Sequence, residues 1–243
     1  MSGPPGTVDI VDDVASAFAE TVVTAYAARP RPRFVLVLSG GPTARRCYEV
    51  LAHAAAGRVD WSLVDIAMGD ERCVASDDPD ANQRLVREAL IEPVGGVGSF
   101  HPMSCEDGPE AYQRVLAGIG DFDVVHLGLG PDGHTASLFP SSAALDAPPG
   151  RLVVRSADPN ERNPHERMTL TLEALARAHL VVFTVSGEDK HEAFAAVSAG
   201  ADLPAARVRA RQVLWLVDRE AAGQVGLSPA PGSGPTGPAE GDG

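Results

Sequence analysis

The sequence predicts a single doubly wound α/β domain with a mostly parallel sheet, and three observations lead to this fold class. Short apolar runs alternate with helix-like segments, which is the order that βαβ units produce. Runs such as "RFVLVLS" (33–39) are apolar almost throughout, as strands buried on both faces of a sheet are. The length of 243 residues suits one large domain or two small ones, and no internal repeat divides it. We therefore expect one domain over 1–223.

The elements are predicted in order from their residue patterns. Strands are expected at 33–39, 62–69, 123–130, 151–156, 179–186 and 212–217, and 167–178 is expected to begin as a strand and turn into a helix. Helices are expected at 14–28, 42–56, 77–94, 108–119 and 188–200. Pro42 suits the first position of a helix, where no N–H is needed. Asp77 or Asp78 is the expected N-cap of its helix, with Pro79 just inside.

The charge and the two ends of the chain limit the function classes. A net charge of −13 argues against nucleic acid, because binding the phosphate backbone needs a dense Lys/Arg surface. No apolar run approaches the ~18 residues of a membrane span, and the polar start "MSGPPGTVDIVDD" does not resemble a signal peptide. We therefore expect a cytoplasmic protein. The Pro/Gly-rich segment 224–243 has almost nothing to bury, and we expect it to be a disordered tail.

The three cysteines, Cys47, Cys73 and Cys105, lie far apart without a C-x-x-C spacing. This pattern is typical of reduced thiols that pack as small hydrophobic residues in a cytosolic protein. We expect all three to be reduced.

Residues suited to anion binding follow several of the predicted strands. Gly40 and Gly41 precede a helix whose free N–H groups would attract phosphate, although they also fit a simple tight turn. Arg72, Arg167 and Lys190 also come at strand ends. Each could be an ordinary surface charge, but together they predict an anion pocket within an acidic protein. We expect the acidic neighbours of Arg72 to hold its forked guanidinium group in place. Such pockets lie at the carboxyl ends of the strands.

The stretch "FDVVHLGLGPDGHTASLFP" (122–140) holds the candidate catalytic group. It fits G-x-G-x-x-G, the dinucleotide fingerprint, and Asp158 lies at a tolerable distance for a ribose contact. However, a long helix should follow, and the chain reaches Pro140 within a few residues. The alternative is a glycine turn that presents His134 beside Asp132. A histidine oriented by a carboxylate can act as a general base at neutral pH.

The segments "SGGPT", "GDERCV…DDPDANQRL", "GLGPDGHTASLFP", "ERMTLTLEAL" and "VSGEDKHEAF" resemble, in order, the signatures of bacterial 6-phosphogluconolactonases. The resemblance covers about residues 10–223. It implies a Rossmann-like sheet shared with glucosamine-6-phosphate deaminases and ribose-5-phosphate isomerases. It also implies hydrolysis of 6-phospho-D-glucono-1,5-lactone, the second step of the oxidative pentose phosphate pathway, without metal or cofactor. We expect a monomer whose partner is this small phosphosugar lactone.

The same resemblance implies roles for individual residues. His134 is similar to the histidine that activates water, and Asp132 is its expected orienting group. The expected phosphate-binding residues are Gly40, Gly41, Arg72, Arg167 and, less directly, Lys190.

The sequence departs from related patterns at two positions. Pro42 stands where relatives often have serine, so the loop offers fewer hydrogen-bond donors. Phe139 stands where the deaminases carry a glutamate that assists ring opening, and phenylalanine cannot move a proton. Lactone hydrolysis is therefore favoured over deamination. A sugar-phosphate sensor without catalysis is the remaining alternative, although no DNA-binding segment is apparent.

Overall fold

The computed structural model describes residues 3–223, and within this range ten strands form two sheets. The strands are β1 (Thr7–Ile10), β2 (Phe34–Leu38), β3 (Val64–Met68), β4 (Asp70–Arg72), β5 (Ser99–His101), β6 (Phe122–Gly128), β7 (Val153–Ser156), β8 (Arg167–Leu170), β9 (Ala178–Val185) and β10 (Gln212–Val217). The helices are α1 (Val14–Ala28), α2 (Pro42–Ala54), α3 (Asn82–Val86), α4 (Gly108–Ile119), α5 (Leu172–Leu175), α6 (His191–Ser198), α7 (Pro204–Arg207) and α8 (Arg219–Ala222). None of the helices within 3–223 is long and apolar enough to cross a membrane. The predicted disordered tail, 224–243, lies outside the described residues.

The larger sheet has the strand order β1-β10-β9-β6-β2-β3-β5, and all its neighbouring strands are parallel. From β2 the chain moves outward through β3 to β5 and then returns to the other side of β2 as β6. The strand order therefore reverses between β2 and β6. Ligands of such sheets bind beyond the carboxyl ends of the strands at this switch point. The predicted doubly wound α/β fold is confirmed.

The core lies between the larger sheet and its helices. All five residues of β2 are buried, as the apolar run predicted. Helix α2 buries Ala44, Cys47, Tyr48 and Leu51, at the spacing of one helical face. Burial of each large apolar side chain contributes about 1.5–3 kcal/mol, which fixes α2 and its amino end against the sheet.

The smaller sheet is antiparallel and has the order β4-β8-β7. The strand predicted at 151–156 and the strand predicted at the start of 167–178 were expected in the main sheet, and this assignment was wrong, whereas the predicted turn into a helix is present as α5. Both places beside β6 are taken by β2 and β9, so β7 and β8 pair with β4, which continues directly from β3. The pairing sets Arg72 of β4 opposite Arg167 of β8.

The helix predicted within 77–94 begins later than expected. Its N-cap is Ala81 and not an aspartate, and a π-helical turn follows α3 at Arg87–Ile91. The reason is a side chain from elsewhere: the Glu71 carboxylate accepts the N–H groups of Asn82 and Gln83, each at 2.7 Å. Asp78 instead accepts the N–H of Asp80 in the preceding turn.

The expectation of three reduced cysteines was wrong for two of them. Cys73 and Cys105 form a disulfide, with 5.3 Å between their Cα atoms. Strand β4 continues from β3, and β5 is the parallel neighbour of β3. The segments that follow β4 and β5 therefore begin close together, at the same end of the sheet. Cys47 is a buried free thiol, as expected, and burial raises its pKa to about 12.

Candidate active site

A cavity of about 370 Å³ opens at the switch point, beyond the carboxyl ends of the strands. Six of the predicted site residues line it: Gly40, Gly41, Arg72, His134, Arg167 and Lys190. The seventh, Asp132, is hydrogen-bonded to His134 and does not line the cavity itself. The structure thus brings the predicted residues together around one space, although they are spread over 150 positions of the sequence.

His134 is paired with Asp132 through its ring. Its Nδ1 lies 2.5 Å from Asp132 Oδ1, and its backbone N–H donates to the same oxygen at 3.1 Å. Burial alone would raise the pKa of Asp132, but the hydrogen bond and the charge of His134 lower it to about 2. An ionised carboxylate can only accept, so Nδ1 carries a ring proton, and in the neutral imidazole the lone pair is then on Nε2. This arrangement suits a general base.

The glycine turn fixes the position of this imidazole. A Cβ on Gly130 would lie 2.1 Å from His134 Nδ1, so only glycine lets the ring approach the backbone. Gly133 has a φ of +83°, which glycine adopts readily. The N–H groups of Gly130 and Gly133 donate to His134 O and Gly130 O. These two amides therefore stabilise the turn and are not free to donate to an oxyanion.

The dinucleotide alternative finds no support beyond the fingerprint itself. After Gly133 the chain continues as turns and an isolated bridge, and the next helical segment is the 3₁₀ turn Ala143–Asp146. A pyrophosphate site would need a helix amino end at the glycine turn.

Helix α2 points its amino end into the cavity. Gly41 is its N-cap, with φ +110° and no side chain to cap the free N–H groups. A Cβ on Gly40 would lie 1.8 Å from Asn82 Oδ1, so Gly40 is required by close packing. Pro42 has no N–H, which leaves Thr43 and Ala44, both lining the cavity, as backbone donors. Such an end attracts anions.

Two arginines lie opposite each other on neighbouring strands of the smaller sheet. Arg72 and Arg167 form a directly opposed pair in the β4–β8 register, where like charges repel. Within residues 3–223, the Nε atoms of both are buried without a hydrogen-bond partner. Burial lowers the pKa of Arg167, and the charge of Arg72 adds to this effect while that of Asp70 opposes it. Two opposed guanidinium groups with free donors are suited to an anion between them.

The acidic residues beside Arg72 do not hold its guanidinium, contrary to expectation. Asp70 accepts hydrogen bonds from Ser137 Oγ at 2.7 Å and from Asn82 Nδ2 at 3.3 Å. Glu71 accepts backbone N–H groups, and burial raises its pKa to about 7 despite those bonds. The guanidinium group of Arg72 donates instead to the backbone oxygen of Asp80, which lies 2.5 Å from Nη1.

Lys190 reaches the cavity from the loop after β9. Its Nζ lies 2.9 Å from the exposed carboxylate of Asp189. Asn163 also lines the cavity and accepts a long hydrogen bond of 3.4 Å from Arg167.

Several cavity residues were missed from the sequence. The main ones are Ser39, Asn82, His126, Asn163 and Thr184. His126 carried a usable signal, because a histidine within the apolar run 123–130 predicts a buried polar group that needs partners. Asn82 and Asn163 gave none, because the short helix α3 and an irregular loop bring them to the site from distant parts of the sequence.

The fold and the cavity define a Rossmann-like α/β protein with a cationic pocket at its switch point. The family model for glucosamine-6-phosphate isomerases/6-phosphogluconolactonase matches residues 6–215. A 6-phosphogluconolactonase of Mycobacterium tuberculosis is 39% identical over 216 residues, covering 80% of this chain and 86% of that protein. The chain belongs to the family of glucosamine-6-phosphate isomerases and 6-phosphogluconolactonases.

Solved structures agree with this assignment. A 6-phosphogluconolactonase of Leishmania guyanensis is similar with a TM-score of 0.78 and 28% identity, over 90% of this chain and 98% of that one. A monomeric glucosamine-6-phosphate deaminase has a TM-score of 0.74 at 20% identity, covering 89% of this chain and 98% of that one, and it shows the shared fold alone. The resemblance stated from the sequence is confirmed.

Proposed function

We propose that the chain is a 6-phosphogluconolactonase, a hydrolase that opens 6-phospho-D-glucono-1,5-lactone to 6-phosphogluconate in the pentose phosphate pathway. The names of its relatives support this reaction. The observation that carries it in the molecule is the pairing of His134 with Asp132 on the cavity that Arg72 and Arg167 also line.

The phosphate of the substrate would bind between Arg72 and Arg167, beside the amino end of α2. An incoming dianion offsets the repulsion between the two guanidinium groups and accepts hydrogen bonds from the N–H groups that face the cavity. Binding energy from this remote group then holds the lactone ring in place for reaction. In an acidic protein, the local cluster of cations makes the cavity selective for an anionic sugar.

The hydrolytic step uses His134 as the base. Nε2 takes a proton from water while the water oxygen forms a bond to the lactone carbonyl carbon. The tetrahedral intermediate collapses by breaking the bond from that carbon to the ring oxygen, which receives the proton from His134. The new carboxylic acid loses its proton to solvent. Asp132 keeps the imidazole in the required tautomer and stabilises its charged form.

Deamination is disfavoured by the residue at position 139. Phe139 is fully buried, and its ring centroid lies 4.9 Å from that of His134. An apolar ring there cannot replace the carboxylate that shuttles protons in an aldose–ketose reaction.

Two assays on the purified chain test the proposal. The lactone is generated in situ with glucose-6-phosphate dehydrogenase, and its decay is followed with and without the chain, because the uncatalysed background is appreciable. Faster decay, without ammonia release from glucosamine 6-phosphate, is expected. Decay at the spontaneous rate, or ammonia release, would refute the assignment. A monomeric state and a cytoplasmic location stay predictions of the sequence, and gel filtration tests the first.

A further inference from the structure

A chain of buried hydrogen bonds leads from α2 to the cavity wall. The Tyr48 hydroxyl lies 2.9 Å from His126 Nδ1, and His126 Nε2 lies 2.9 Å from Thr184 Oγ1. Tyr48 and His126 are at most 1% exposed, and both His126 and Thr184 line the cavity. The proposed hydrolysis does not use these groups.

The direction of the protons along this chain follows from what each group can donate. The Tyr48 hydroxyl donates to Ser39 O at 2.8 Å and accepts the Ser39 N–H at 3.0 Å. Its one proton is therefore committed, and the contact with His126 needs the proton on Nδ1. Burial lowers the pKa of His126 to about 3, so the ring carries only this proton at neutral pH. Nε2 must then accept the hydroxyl proton of Thr184.

This direction fixes the chemistry that Thr184 offers to a ligand. Its only proton points to His126, so Oγ1 has lone pairs alone for any further partner. Cys47 lies beside the same hydroxyl, but a thiol sulfur is only a weak acceptor, so the Thr184 proton goes to His126 Nε2. A sugar hydroxyl can donate to Oγ1, whereas a ring or carbonyl oxygen cannot.

We propose that Thr184 is a specificity-determining residue that accepts a hydrogen bond from a substrate hydroxyl, with Tyr48 and His126 as positioning residues that fix its proton. The inference deepens the proposed function, since it names how the hydroxylated part of the same phosphosugar is recognised. Phosphate alone would not engage Thr184, because it binds through the arginines.

The test compares ligands with and without hydroxyls on three proteins. The product 6-phosphogluconate, the hydroxyl-free 6-phosphonooxyhexanoate and inorganic phosphate are titrated by calorimetry into wild type, Thr184→Val and Thr184→Ser. The valine variant should bind 6-phosphogluconate about tenfold more weakly, as loss of a buried hydrogen bond predicts. It should bind the other two ligands as wild type does. The serine variant keeps the hydroxyl and should resemble wild type throughout.

Two results would overturn the inference. The first is unchanged affinity of the valine variant for 6-phosphogluconate. The second is an equal loss of affinity for the hydroxyl-free ligand, which would mean that Thr184 contributes packing and no hydrogen bond to a hydroxyl. Failure of wild type to bind 6-phosphogluconate would overturn it together with the proposed function. Binding without hydrolysis of the lactone would contradict the proposed function alone.

The positioning role has its own spectroscopic readout. Long-range ¹H–¹⁵N correlations of histidine-labelled protein identify the tautomer of each ring, and a His126→Leu difference spectrum assigns the signal. The Nδ1–H tautomer is expected to persist between pH 5 and 8, because the folded pKa lies near 3. The Nε2–H tautomer would overturn the proposed proton direction, because Thr184 would then keep its proton for the cavity.

Discussion

Replacing Arg167 by methionine is expected to stabilise the unliganded protein while it weakens phosphate binding. Arg167 is 6% exposed, faces Arg72 across the strand pair, and has a buried Nε without a partner among the described residues. Relief of the cross-strand repulsion contributes about 0.2–1 kcal/mol, and removal of an unsatisfied buried donor about 1–3 kcal/mol. The guanidinium also lies 5.6 Å from the Phe139 ring centroid, and loss of that contact costs about 0.5–1 kcal/mol.

The net gain of about 1–2 kcal/mol corresponds to a Tm about 2–8 °C higher for a domain of this size. Thermal unfolding with and without phosphate measures both effects. At 100 times its Kd, phosphate should stabilise wild type by about 2.7 kcal/mol and the variant by much less. Arg151→Met is a matched control, because Arg151 has a half-exposed side chain paired with Glu110 at 2.8 Å. It should change the stability little and keep the phosphate response. A lower Tm for Arg167→Met, or an undiminished phosphate effect, would refute the reasoning.

Three further predictions concern the catalytic pair, the disulfide and the buried glutamate. His134→Ala should lower kcat by ~10²–10⁴-fold. Asp132→Asn should also lower kcat, with little effect on KM, because the imidazole loses the acceptor that orients it. Wild-type turnover in both variants would remove the pair from the mechanism. The disulfide joins residues that are 32 positions apart in the sequence. Because it restricts the unfolded chain, the double variant Cys73→Ser/Cys105→Ser should have a free energy of unfolding about 3–4 kcal/mol lower in urea titrations. An unchanged midpoint would contradict this. The folded pKa of Glu71, about 7, lies above its unfolded value, so its contribution to stability is full below pH ~4.5 and is lost as the pH rises through 7. Unfolding free energies at pH 5 and pH 8 should therefore differ more for wild type than for Glu71→Gln, and equal differences would contradict the assignment.

The sequence predicted those parts of the fold and the site that depend on local patterns. Apolar runs such as Phe34–Leu38 gave the central strands, and the spacing of Ala44, Cys47, Tyr48 and Leu51 gave one face of a helix. Gly40, Gly41, His134 and Lys190 line one cavity because they follow parallel strands, whose carboxyl ends lie at one edge of the sheet.

Other features depend on contacts between distant segments, and no local pattern reports them. Glu71 caps α3 from eleven positions away, so the aspartates near 77 gave the wrong start for that helix. The Cys73–Cys105 bond depends on β5, a three-residue strand that is too short to recognise from alternation. The opposition of Arg72 and Arg167 depends on the register of an antiparallel sheet that was taken for part of the parallel one.

The central claim is that a histidine base and a two-arginine phosphate site act on the same bound molecule. The most direct measurement is the ratio of kcat/KM for 6-phosphogluconolactone to that for unphosphorylated gluconolactone, in wild type and in Arg72→Ala/Arg167→Ala. Two charge-assisted contacts of about 1.5–3 kcal/mol each predict a ratio of roughly 10²–10⁴ in wild type, and the ratio should fall towards one in the double variant. Equal kcat/KM for the two lactones in wild type, or a ratio that survives loss of both arginines, would contradict the account.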